Sequence, residues 1–67
     1  MGNPLYLEEA ITASGKKKSY LAKRLGVSRQ TFSKRIQDPS AFTNLQTEIL
    51  CDELNITKLS DKQKIFC

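Results

Sequence analysis

The stretch Ser19-Tyr20-Leu21-Ala22-Lys23-Arg24-Leu25-Gly26-Val27-Ser28-Arg29-Gln30-Thr31-Phe32-Ser33-Lys34-Arg35-Ile36 decides how this chain is read. Leu21, Ala22 and Leu25 fall on one helical face, and Gly26 then breaks the helix. Ser28 is a natural N-cap for a second helix, with Val27 placed to staple onto Phe32 at the fourth helical position. Phe32 and Ile36, four residues apart, anchor that second helix to a core. At 100° per residue, Arg29, Ser33, Gln37, Gln30 and Lys34 fill an arc of about 140° opposite those anchors. Two helices joined by a tight turn, the second showing long hydrogen-bonding side chains, is the pattern of a helix-turn-helix. Such a motif lays its second helix in the DNA major groove.

Charge follows the same segment. Residues 16–35 hold eight basic side chains and no acidic one. The chain as a whole is +4, so a local +8 leaves −4 for the remainder. The isoelectric point, near 9.3, points to an anionic partner.

On each side of this segment the punctuation is helical. Asn3-Pro4 gives an N-cap and a proline at the first helical position. From there to about Ser14, Tyr6, Leu7, Ala10, Ile11 and Ala13 share a face, and Gly15 closes the helix as a left-handed residue. Helix 2 then runs from about Lys17 to Leu25 without a good N-terminal cap. Gln37 to Phe42 reads as a loop, because Pro39 biases Asp38 away from helix, and Phe42 is expected to pin it. Helix 4 is capped by Thr43 or Asn44 and runs to about Leu54, with Asn55 at its exit. Ser60-Asp61-Lys62-Gln63 matches a capping box that opens a fifth helix carrying Ile65 and Phe66. The expected architecture is therefore all-α: a compact bundle of about five short helices in a single domain spanning residues 1–67.

Sixty-seven residues leave little room for a deep catalytic pocket. The chain has no histidine and only two cysteines, 51 and 67, so neither a zinc site nor a nucleophile–base pair can be assembled. An enzyme is not expected, and no metal, cofactor or small-molecule ligand is called for. Cys51 and Cys67 read as reduced thiols in a cytoplasmic protein, Cys51 buried as a small apolar side chain; a disulfide between them is the alternative. No apolar run suits a signal peptide or a membrane span.

The arc on helix 3 has the chemistry of base readout. Arg29 can pair bidentately with guanine O6 and N7, and Gln30 with adenine N6 and N7. Ser33 and Lys34, one turn on, can reach neighbouring bases or phosphates. Lys16, Lys17, Lys18 and Ser19 surround the N-terminus of helix 2, where open N–H groups and the helix dipole favour phosphate, and Arg35 flanks the arc as a further phosphate contact.

These residues resemble a known family. Leu21-Ala22-x-x-Leu25-Gly26-Val27-Ser28-x-x-Thr31-Phe32-Ser33 is similar to the core of the lambda-repressor-like, Cro-like regulators of bacteria and phages. Leu50-Cys51-x-x-Leu54-Asn55-Ile56-Thr57 resembles that family's fourth helix and its exit, with Asn55 in place of the usual glycine. The likeness covers about residues 5–57. It implies a lambda-repressor-like DNA-binding domain that regulates transcription. Arg29, Gln30, Ser33 and Lys34 then occupy the base-reading positions on a double-stranded operator. The short chain resembles a stand-alone Cro-type repressor, and the implied setting is a phage genetic switch in the bacterial cytoplasm, at the nucleoid. Lys16, Lys18 and Arg35 depart from the family's usual residues, as does Asp38-Pro39 after helix 3.

Helix 4 offers a second surface. Thr47, Leu50, Cys51 and Leu54 face inward, whereas Leu45 and Ile49 fall on another side. Either helix 5 folds back so that Ile65 and Phe66 cover them, or Leu45, Ile49, Ile65 and Phe66 form a protein-contact surface. Such a surface suits a homodimer or a partner repressor. The alternative function is accordingly an antirepressor or modulator that acts on a partner repressor protein through the same scaffold. Half a dozen phosphate contacts predict a log–log salt slope of about −5, and a flat salt response favours the partner-binding alternative.

Overall fold

Asn3 starts the first helix by closing its N-terminus: its side-chain oxygen accepts from the N–H groups of Leu5 (3.1 Å) and Tyr6 (3.4 Å). The computed structural model describes residues 2–67, and in it five helices follow in order. They are α1 (Pro4–Ser14), α2 (Lys18–Leu25), α3 (Arg29–Gln37), α4 (Asn44–Glu53) and α5 (Leu59–Phe66), with a 3₁₀ turn at Pro39–Ala41 between α3 and α4. No strand occurs among the described residues.

Helix ends fall where the local chemistry directs them. Gly15 (φ 72°) and Gly26 (φ 74°) take the left-handed conformation that stops α1 and α2. After α2 the Val27 N–H reaches back to the Ala22 carbonyl at 3.1 Å, the long-range bond of a Schellman ending. Ser28 caps α3 by accepting from the Thr31 N–H at 3.1 Å. Thr43, rather than Asn44, caps α4 with a full capping box, its hydroxyl accepting from Gln46 N–H while Gln46 Oε1 accepts from Thr43 N–H. Asn55 (φ 57°) ends α4 in the left-handed region, and the Ile56 N–H bonds the Cys51 carbonyl at 2.8 Å.

The fifth helix starts differently from the capping box expected at Ser60. Its N-cap is Lys58, with no side-chain cap, and the Lys62 N–H already bonds the Lys58 carbonyl at 3.1 Å. The helix is running by the time the chain reaches Ser60, which therefore caps nothing.

One apolar cluster unites all five helices. Leu7, Leu21, Phe32 and Leu50 are completely buried at its centre. α2 packs on α3 and α4, while α1 packs on α3 and α5. Phe42 pins the segment after α3, as expected, with its ring 6.0 Å from Phe32 and 6.2 Å from Phe66. Phe66 and Ile65 are each only 6% exposed. They belong to the core, so they are not part of a contact surface and do not cover Leu45, which is 66% exposed. The reason is that α5 lies against α1 and the 3₁₀ turn rather than across α4. Ile49 is half-buried against the core. The expected four-residue surface thus reduces to Leu45 and the edge of Ile49.

The inward face of α1 is also narrower than its periodicity suggests. Leu7 and Ile11 are buried and Ala10 packs beside them, but Ala13 is exposed and Tyr6 is 38% exposed. Tyr6 instead lies under the Lys64 ammonium, 4.8 Å from the ring centroid. Cys51 is buried and Cys67 exposed, and both are free thiols. Burial pushes the Cys51 thiol up from its ordinary pKa, which keeps it protonated and inert. No described helix is long and apolar enough to cross a membrane.

Candidate nucleic-acid interface

Helix α3 is held from behind and open in front. Phe32 and Ile36 are at most 1% exposed, so the helix cannot roll about its axis without emptying the core. Arg29, Gln30, Lys34 and Gln37 are exposed and Ser33 is half-buried among them. Arg29 Nη1 donates to Ser33 Oγ at 3.2 Å, which draws the guanidinium along the helix face instead of leaving it free to sweep. All four residues expected to read bases therefore share one solvent-facing surface, and three connecting residues (26–28) fix its position relative to α2.

The five residues expected to contact phosphate divide into two groups. Lys17 and Ser19 are exposed at the first turn of α2, and no side chain caps that turn. Lys16, Lys18 and Arg35 are half-buried and bonded to other groups of the protein. Lys18 Nζ pairs with Glu8 at 2.9 Å, tying α2 to α1. Arg35 Nη1 donates to Gln46 Oε1 at 2.8 Å, joining α3 to the capping box of α4. Lys16 Nζ donates to both the carboxylate (2.7 Å) and the backbone carbonyl (2.6 Å) of Glu53, closing the C-terminus of α4.

Glu53 is the electrostatic hub that the sequence does not announce. Its carboxylate receives Arg24 Nε at 2.8 Å, Lys16 Nζ at 2.7 Å and the Tyr20 hydroxyl at 3.3 Å. The Arg24 hydrogen bond, followed by that from Lys16, lowers its pKa to about 2. Arg24 in turn holds its proton more firmly because of Glu53. Lys16, Tyr20 and Arg24 recur every four residues, so the sequence shows that they share one stripe along α2 and the residues before it, but not that Glu53 meets that stripe.

These pairings trim the basic surface without removing it. The eight basic residues of 16–35 meet two carboxylates, Glu8 and Glu53, and the eight less those two leave six positive charges. Lys17, Lys23, Arg29 and Lys34 have no carboxylate partner among the described residues. Two of these four, Arg29 and Lys34, stand on the open face of α3.

No family model, no curated protein and no solved structure matches this chain.

Proposed function

We propose that this protein is a sequence-specific double-stranded DNA-binding regulator of transcription, with α2 and α3 as a lambda-repressor-like, Cro-like helix-turn-helix. The observation that carries this reading is the rigid seating of α3. Phe32 and Ile36 lock its back while Arg29, Gln30, Ser33 and Lys34 face solvent within a surface of excess positive charge. A helix that is to read base edges needs fixed orientation, because a bidentate pair is worth roughly 1–3 kcal/mol of discrimination only when both bonds form together. Arg29 is the reader of guanine and Gln30 of adenine, with Ser33 and Lys34 reaching the adjoining step.

Phosphate contacts in this account come first from Lys17, Ser19 and Lys23, with the backbone N–H groups opening α2. Lys16 and Lys18 act indirectly, by holding the start of α2 against α4 and α1. Binding of the purified protein to a random-sequence duplex across a salt series tests the electrostatic half of the proposal. The two cations among these contacts, Lys17 and Lys23, give a log–log slope of about −2. A slope near zero contradicts DNA binding and favours an antirepressor that works through a partner repressor.

A further inference from the structure

A second surface lies on α1 and α5, outside the basic segment. The two helices run antiparallel, since Asn3 N–H bonds the Ile65 carbonyl at 2.8 Å and Tyr6 meets Lys64. They do not close over each other completely. A groove of about 340 Å³ remains between them, floored by Ala10, Ala13, Ile56 and Ile65. Small side chains at Ala10 and Ala13 keep the groove open, so another helix can approach closely. One end is bounded by the Tyr6 ring with Lys64 above it, and Glu9 and Asp61 complete the rim.

The charges on this rim select the occupant. Glu9 and Asp61 are exposed and neither has a cationic partner among the described residues. Lys64 is the only cation on the rim, and it is drawn onto the Tyr6 ring. Beyond Glu9 the outer face of α1 continues with Leu5, which is 74% exposed, and Ala13. The rim carries two carboxylates and one ammonium, so a second copy meets it with the same net negative charge, which disfavours self-pairing. A helix bearing an aliphatic stripe flanked by lysine or arginine meets both the apolar floor and the free carboxylates.

We propose that the α1–α5 groove is a docking site for a cationic amphipathic helix of a partner protein. This is independent of the DNA reading, because it uses none of residues 16–35.

The test uses the full chain, isotope-labelled for NMR, and an 18-residue synthetic helix with a leucine stripe and lysines elsewhere. Its control is the same helix with glutamates for lysines. The expected result is that the lysine peptide shifts the amide signals of Ala10, Ala13 and Ile65, that the glutamate peptide does not, and that the double variant Glu9→Lys/Asp61→Lys weakens binding at least tenfold. Ala13→Gln, at an exposed helical position, fills the groove without touching charge and is expected to weaken binding as well. Shifts confined to another face, such as that of Glu48 and Asp52, overturn the proposal. So does equal binding of both peptides, undiminished binding to folded variants, or no binding by the wild-type chain.

Discussion

Lys16 Nζ lies 2.6 Å from the backbone carbonyl of Glu53 and 2.7 Å from its carboxylate, so one ammonium closes the end of α4 both as a cap and as an ion pair. The two residues are 37 positions apart, and the contact fixes the segment that leads into α2 against α4. Tyr20 and Arg24 meet the same carboxylate from one and two turns further along. The start of α2 and its Tyr20–Arg24 stripe are thus clamped to the end of α4.

That clamp has a predictable pH signature. The Glu53 pKa falls from its ordinary 4.5 to about 2 in the folded protein. A lowered carboxylate pKa means stabilisation that is complete above the ordinary value and lost as pH drops through the folded one. Wild type is therefore expected to melt higher than Glu53→Gln at pH 6, with the gap closing as pH falls from 4.5 to 2. A gap that stays constant over thermal melts in this range contradicts the assignment.

Lys16 and Lys17 are adjacent in sequence and should behave differently. Lys17→Ala is expected to weaken binding to all duplexes about equally and to flatten the salt slope by about one unit. Lys16→Met is expected to lower the melting temperature while changing the salt slope little. The pair is read by salt-dependent binding and thermal melts on the same preparations. Interchanged behaviour contradicts the division of labour drawn here.

The glycines give a contrast in mechanism. A Cβ at Gly26 meets nothing within 4 Å, so Gly26→Ala costs only the left-handed backbone, about 1–2 kcal/mol. At Gly2 a Cβ falls 2.6 Å from Pro39 Cβ and against the Ile65 carbonyl, where neither neighbour can give way cheaply. Gly2→Ala is expected to cost about 1–3 kcal/mol by displacing the N-terminal segment from α5 and the 3₁₀ turn. Chemical denaturation measures both, and hydrogen exchange at the Asn3 amide, bonded to Ile65, should rise only in Gly2→Ala.

How much of this was legible in the sequence depended on range. Asn3, Gly15, Gly26, Ser28, Thr43 and Asn55 act on backbone groups within a few residues, and each is visible as a local pattern. The open face of α3 is legible for the same reason, since helical periodicity alone separates Phe32 and Ile36 from Arg29, Gln30 and Lys34. The fates of Lys16, Lys18 and Arg35 were hidden, because their partners lie 37, 10 and 11 residues away. A basic side chain in a string gives no sign of whether it meets a carboxylate or the solvent. The burial of Ile65 and Phe66 depended on which neighbour α5 would choose, and the N-cap of α5 fell at Lys58, two residues ahead of the capping box expected at Ser60. Local propensity proposed a start, and the continuous backbone bond from Lys62 to Lys58 overrode it.

The central claim, that the open face of α3 reads DNA bases, is tested most directly by selection from a random duplex library with the wild-type chain and with Arg29→Ala. The account predicts that wild type enriches a defined site containing a guanine, and that Arg29→Ala loses preference at that one position by about 5- to 150-fold, the equivalent of roughly 1–3 kcal/mol. An identical site enriched by both proteins, or no site enriched by wild type, contradicts it.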